Sequence, residues 1–232
     1  MNKSNSCIYI LARFPVFNLQ ELPVFQSFDR VHSELLYSSL LLNYKELLET
    51  NSDFYNFYFI IDNVDRQHVP EILLKSDNVI WIDNNEQMVS LKNISDKYFP
   101  SYNNNIIVLA DSIGVSVSEI IKMINLLSIE DDSIVIGKTF NNKISCLGFN
   151  KLNDSYFYDF DWNKPDYDKG LAVLCKENSF LHIVNGPLLV ENNDEYKKLY
   201  LELSKKESLA YCDQSMHERF TSLFIEYKDL LK

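Results

Sequence analysis

Short apolar runs of strand length alternate along the chain with longer stretches in which apolar residues recur at helical spacing. The first run, Cys7-Ile8-Tyr9-Ile10-Leu11-Ala12, has no polar interruption, as expected of a strand covered on both faces. Asp29 to Glu49 then carries Val31, Leu35, Leu36, Leu40, Leu42, Leu47 and Leu48 at helical spacing, with Asp29 as N-cap. Phe57 to Ile61 predicts a second strand, a short helix near Val69 to Lys75 follows, and Val79 to Ile82 is a third strand. Asn85 to Tyr98 reads as a helix and Ile106 to Ala110 as a strand. Ser116-Val117-Ser118-Glu119 has the form of a capping box and opens a helix to about Leu127.

Ser133 to Gly137 and Ser145 to Phe149 predict two strands around the polar turn Asn141-Asn142-Lys143. Asn153 to Gly170 is aromatic and acidic without periodicity and reads as an ordered loop. A helix near Tyr167 to Glu177, a strand at Leu181 to Val184, a helix opened by Asn192-x-x-Glu195 and running to about Ser204, and an amphipathic helix from Asp213 to Leu231 complete the pattern. Strand–helix alternation over the first 140 residues predicts an α/β fold. Its sheet is mixed but mostly parallel, with helices on both faces. The four strands Cys7–Ala12, Phe57–Ile61, Val79–Ile82 and Ile106–Ala110 are expected to be adjacent and central.

At 232 residues, 46% hydrophobic and 13% aromatic, the chain can bury one sizeable core. The formal charge of −11, with no run of Lys or Arg, disfavours nucleic acid and anionic membrane as partners. The run from Cys7 to Ala12 is too short for a signal peptide or a membrane span, which predicts a cytoplasmic protein. Cys7, Cys146, Cys175 and Cys212 form no C-x-x-C pair, and three of them fall in apolar runs that suit small core residues. The histidines are equally dispersed. Five glycines are too few for the dinucleotide fingerprint or the P-loop, and neither spacing occurs; nor does the G-x-S-x-G elbow.

Chemistry is suggested where apolar strands end in aspartate: Ile61-Asp62, Ile82-Asp83 and Ala110-Asp111. Ligands of open parallel sheets bind at the carboxyl ends of the strands, where converging carboxylates can hold a divalent cation or a ribose. Aspartate after a strand is also a favoured turn former and N-cap, so position alone leaves both readings open.

The order of these pieces resembles a bacterial family, the rSAM/selenodomain-associated transferases, whose members have a GT-A-like, nucleotide-diphospho-sugar transferase fold. Their first loop, A-K-x-P-x-P-G-x-x-K-T-R-L, is similar to the stretch from Ala12 to Val24, where Arg13, Pro15 and Val16 fit, but Asn18 replaces the glycine, Glu21 the lysine and Pro23 the arginine. Their G-D-L-G-E-R-M resembles Ile82 to Met88, keeping Asp83, Glu86 and Met88, and their G-S-D-x-P-x-L resembles Leu109 to Val115, keeping Asp111. In the hairpin G-P-A-x-D-G-G-Y-Y-L-x-G-L, Gly137, Leu147 and Gly148 match, while the acid falls on Asn141 and the glycine pair on Asn142 and Lys143. A family tryptophan resembles Trp162, and D-V-D-T-P-E-D-L resembles Leu189 to Tyr196, with Glu191 standing in for an aspartate.

The resemblance spans Ile8 to Leu203. It implies a GT-A-like transferase domain over 1–207 and a C-terminal helical extension over 208–232 packed on the same domain. It also implies a nucleotide-sugar partner and a divalent cation, Mn²⁺ or Mg²⁺, on its diphosphate. On that basis Asp111 is the metal ligand, Asp111 and Glu191 are the catalytic pair, and Arg13, Asp83 and Glu86 bind the cofactor.

The departures point the other way. An inward glutamate in place of lysine at about 6 Å from a phosphate changes the interaction by roughly 5 kcal/mol at an effective dielectric near 20. That is three to four decades of affinity. The segment Asn18 to Val24 is therefore expected not to bind a donor diphosphate, and nucleotide-sugars to bind at about millimolar or worse. Two readings follow: a divergent glycosyltransferase-like protein with weak or lost catalysis, or a non-catalytic GT-A-fold binding or interaction module. Nothing in the sequence sets an oligomeric state. The aromatic stretch from Tyr156 to Trp162 fits core packing under a loop better than an acceptor pocket.

Overall fold

The computed structural model describes residues 5–12, 27–83, 87–176 and 179–232, with the side chains of 87–91 and 157–158 excepted. Seven strands form one sheet: β1 (Ser6–Leu11), β2 (Asn56–Asp62), β3 (Val79–Ile82), β4 (Asn104–Leu109), β6 (Ser133–Lys138), β7 (Ile144–Phe149) and β8 (Phe180–Asn185). Their order is β3-β2-β1-β4-β7-β6-β8. Six strands run in one direction; β7 alone is reversed, antiparallel to β4 and β6. The first four predicted strands are adjacent, with β1 and β4 fully buried. Val79–Ile82 lies at the edge rather than in the centre, and its alternating burial reflects one open face.

Alternate residues of each strand point to opposite faces, and each face has its own core. On one side Ile8, Ile10, Phe59, Ile106 and Val108 pack beneath α1 (Arg30–Glu49), α4 (Val117–Leu127), α7 (Asn193–Leu203) and α8 (Gln214–Glu226). On the other, Cys7, Tyr9, Leu11, Ile107 and Leu109 pack beneath α3 (Gln87–Tyr98), α5 (Ser155–Tyr158) and α6 (Tyr167–Leu174).

A short helix, α2 (Glu71–Leu74), links β2 to β3. Four of the longer helices start at side-chain caps. Asp29 accepts from His32 N at 2.8 Å. Ser116 and Glu119 make both bonds of the capping box. Asn192 accepts from Glu195 N at 3.0 Å, and Asp213 from Met216 N at 2.9 Å. The last helix stops at Glu226, and Lys228 to Leu231 continue as a 3₁₀ turn. Phe220 and Leu223 of α8 are fully buried in the core beneath α1, and Tyr227 stacks on Phe28 with centroids 3.9 Å apart.

The stretch Asn153–Gly170 is more ordered than its lack of periodicity suggests: it contains α5 and the first turn of α6, which ends at Leu174, short of Glu177. Tyr156, Phe160 and Trp162 are buried, and Trp162 Nε1 donates to Tyr156 O at 2.8 Å, so these aromatics pack as core. Two further strands, β5 (Ser112–Ile113) and β9 (Leu188–Leu189), pair antiparallel as a separate ribbon. At two residues each they carry no periodic signal.

Candidate functional site

Because six strands share one direction, their carboxyl ends meet on one rim of the sheet. The turn of the β6–β7 hairpin, 139–143, reaches the same rim because β6 runs towards it. Asp62 ends β2, Asp83 follows β3, Asp111 follows β4, and Thr139 and Gly186 follow β6 and β8.

Asp62 is buried, and its Oδ1 accepts from Val64 N at 2.8 Å to start a 3₁₀ turn. Burial raises its pKa, the Val64 N–H opposes that, and the charge of Asp83 adds to it. Asp83 is exposed and accepts from Asn63 Nδ2 at 2.8 Å, which ties the ends of β2 and β3 together. Asp62 thus acts as a turn-forming residue and Asp83 as a link between the two strand ends. The strand order places β2 and β1 between β3 and β4. Three spacings of about 4.8 Å put Asp83 roughly 14 Å from Asp111, too far for both to grip one ion. Arg13, Glu86 and the segment Asn18 to Val24 lie outside the described residues.

The backbone at Asp111 is brought to Val190, the residue before Glu191. Asp111 is buried, and its carbonyl accepts from Val190 N at 2.9 Å. The β5–β9 ribbon makes this possible, since it returns the chain from β8 to the end of β4. The ribbon is pinned by Ser112, which donates to Leu109 O at 2.6 Å and hydrogen-bonds the Tyr44 hydroxyl at 2.7 Å. Gly114, at φ +104°, then turns the chain into α4, a conformation that favours glycine.

Glu191 forms an ion pair with the Lys143 ammonium, the lysine side chain being 33% exposed and the glutamate 13%. Glu195, buried at the start of α7, accepts from Glu191 N at 2.7 Å and from Asn141 Nδ2; Asn141 in turn accepts from Thr139 Oγ1. Burial raises the Glu195 pKa, the charges of Lys143 and Lys198 pull it back, and Asp111 pushes it up again. The hairpin that supplies Lys143 is rigid. Thr139 N donates to Lys143 O at 2.9 Å, and Lys143 N to Thr139 Oγ1 at 3.0 Å. Asn142 takes φ 60°, the left-handed conformation, at a position where the resemblance places a glycine.

Beside this centre, between the β5–β9 ribbon, the ends of β6 and β8, and α7, lies a cleft of about 710 Å³. Gly114, Thr139, Phe140, Asn185, Gly186 and Lys198 line it, with the Lys198 ammonium 3.3 Å from the Phe140 ring centroid. Gly137 and Gly186 let the ends of β6 and β8 close up, Gly186 N donating to Lys138 O at 2.9 Å.

The resemblance marks Asp111 as the metal ligand with Asp83 and Glu86 beside it; Asp83 is remote from Asp111, Glu86 lies outside the described residues, and the neighbouring acids are engaged, Glu191 with Lys143 and Glu195 with Asn141 and a backbone amide. Among the described residues no group of three or more His, Cys, Asp or Glu is placed to hold a metal. Lys143 and Glu195 are the site residues that the sequence does not reveal as such. The one local signal is the Asn192-x-x-Glu195 cap, which marks Glu195 as a helix start and not as the hub of a polar network.

No family model matches the sequence, and no curated protein sequence matches it. Among solved structures, a candidate nucleotide-diphospho-sugar transferase of Desulfovibrio desulfuricans G20 is similar over 98% of this chain and 97% of its own, with TM-score 0.70 and 15% identity. The homologue of Mycobacterium tuberculosis Rv0371c from Mycobacterium sp. strain JC1 is similar over 86% and 97%, with TM-score 0.51 and 17% identity. The 4-diphosphocytidyl-2C-methyl-D-erythritol synthase of Anaerococcus prevotii DSM 20548 is similar over 96% and 97%, with TM-score 0.51 and 11% identity. Among the described residues no helix is long and apolar enough to cross a membrane. At these identities the likeness shows the fold alone: the chain is a single-domain α/β protein with the fold of nucleotide-diphospho-sugar transferases, shared by cytidylyltransferases.

Proposed function

We propose that this protein is a divergent, glycosyltransferase-like member of that fold, akin to the rSAM/selenodomain-associated transferases, which takes a nucleotide-derived ligand over the strand-end rim with weak or lost transfer. One observation carries the reading: the β5–β9 ribbon bonds Val190, the residue before Glu191, to the Asp111 carbonyl at the end of β4, which supports the pair that the resemblance expects there. In this reading Asp111 faces the leaving diphosphate and Glu191 the transferred group, while Arg13, Asp83 and Glu86 line the nucleotide side of the rim. The helix after residue 208 belongs to the same domain, its buried face being part of the core under α1. The cytoplasm suits a chain whose four cysteines are all free.

The second reading, a non-catalytic binding or interaction module, is favoured by the internal engagement of Glu191 and Glu195, which leaves the acids fewer lone pairs for a substrate. A panel of nucleotides, cytidine triphosphate and nucleotide-sugars, tested by thermal shift and calorimetry, separates the two, because a ligand of the folded state raises the melting temperature by linkage. Binding at about millimolar strength without turnover is expected. Micromolar binding with turnover would establish an active transferase, and no binding by any nucleotide would leave the interaction module.

A further inference from the structure

We infer that the Lys143 ammonium is the resident cation of the strand-end acid centre: it occupies the place of a divalent ion beside Glu191 and Glu195, near Asp111, and makes the centre metal-independent. The link to a nucleotide phosphate rests on the function proposed above; the charge substitution itself does not. Three observations converge on it. Lys143 pairs directly with Glu191. Its charge is the largest influence offsetting the effect of burial on Glu195, which also feels Asp111. Both partners are held in place. The hairpin is fixed by the Thr139–Lys143 bonds, the left-handed Asn142 and a bridge from Lys143 to Asp166. The acids are fixed by the Glu191 N–H to Glu195 bond and by the Asn192 cap.

The chemistry follows from charge. Carboxylates gathered at a strand end are relieved of mutual repulsion by a proton, by N–H donors or by a positive partner, and the last comes from a bound ion or from the chain itself. Here the chain supplies it, from the last of the two hairpin positions where the resemblance has glycine. A divalent ion entering the same place would displace an ammonium tethered to the hairpin and meet its repulsion. The lysine side chain is one-third exposed, so the ammonium can also meet an anionic phosphate from solvent.

The test is Mn²⁺ binding, read by electron paramagnetic resonance and calorimetry on the full chain. The unmutated protein and Lys143→Arg are expected to bind no Mn²⁺ at millimolar concentration and to keep their melting temperatures when it is added. Lys143→Met, and Lys143→Gln as a second variant that keeps a hydrogen-bond donor, should gain Mn²⁺ affinity by about tenfold or more. Glu191→Gln in either background should abolish the gain. The inference is overturned if the unmutated protein binds Mn²⁺ and loses it on Glu191→Gln. It is equally overturned if folded Lys143→Met and Lys143→Gln bind no more Mn²⁺ than the parent. Nucleotide binding is scored apart, with and without a chelator: its absence counts against the proposed function and leaves the Mn²⁺ result to decide this inference.

Discussion

Replacing Gly186 by alanine tests whether the rim of the sheet depends on the close approach of β6 and β8. A β-carbon at Gly186 would lie 2.6 Å from the Gly137 carbonyl oxygen, 2.7 Å from its carbon and 2.3 Å from Ser145 Oγ. Carbon and oxygen sit comfortably at about 3.3 Å or more, so the backbone contact falls short by roughly 0.7 Å. The serine hydroxyl can rotate away, but the Gly137 carbonyl belongs to a paired strand and cannot. Overpacking of this kind costs about 1–3 kcal/mol. Restricting the unfolded chain returns about 0.4–1 kcal/mol. The net expectation is a loss of about 1–2 kcal/mol, or roughly 2–8 °C in melting temperature for a chain of this size. Calorimetric melting of Gly186→Ala, Ser145→Ala and the double variant is the assay, and the double variant should recover little. Gly186→Ala melting at or above the parent temperature would refute the reasoning, as would full recovery in the double. Gly114→Ala makes a useful contrast. Its β-carbon meets nothing within 4 Å, but φ is +104°, so its loss comes from backbone conformation alone.

Other expectations follow from the same contacts. Phe220→Ala, in a fully buried position of α8, should cost about 3–5 kcal/mol and leave a single melting transition; a separate low-temperature transition would show that residues 208–232 fold apart from the sheet. Glu195→Ala removes the acceptor of the Glu191 N–H and of Asn141 Nδ2, and a loss of about 2 kcal/mol in denaturant melts is expected, against little or none if the network is incidental. Burial lowers the His217 pKa from its ordinary 6.5, with Asp213 opposing, so the folded state binds that proton more weakly than the unfolded chain. Stability at His217 is therefore intact above about 6.5 and is lost as pH falls through that value towards the folded pKa, a dependence that His217→Gln should flatten in melts across the range.

The sheet was largely legible because strands covered on both faces leave an uninterrupted apolar run, as β1 and β4 do. Helix starts were legible because a cap is local chemistry: Asp29, Ser116, Asn192 and Asp213 each accept from an amide three residues on. Helix ends were less so: α8 gives way to a 3₁₀ turn after Glu226 although Tyr227, Leu230 and Leu231 still pack on the core, so the apolar spacing runs on past the helix. The β5–β9 ribbon had no local signature, and it is the element that brings Val190, and with it the backbone of Glu191, to Asp111. For the same reason Lys143 reads in sequence as a lost glycine and Asn141 as a lost acid. Their roles arise from partners about 50 residues away, Lys143 with Glu191 and Asn141 with Glu195, contacts that only the assembled rim creates.

The packing of α8 against α1, with Tyr227 stacked on Phe28 and its hydroxyl accepting from Asp29 N at 3.1 Å, bears on how the protein is made. The ribosome delivers Leu36, Leu40 and the rest of the buried stripe of α1 some 180 residues before the residues that complete their cover. At about 5–20 residues per second that is an interval of roughly ten to forty seconds. Through it, α1 can be sheltered by β1, β2 and β4 on its sheet side, while its α8 side waits. A nascent chain halted before residue 213 would leave that stripe open, and the docking of α8 closes it.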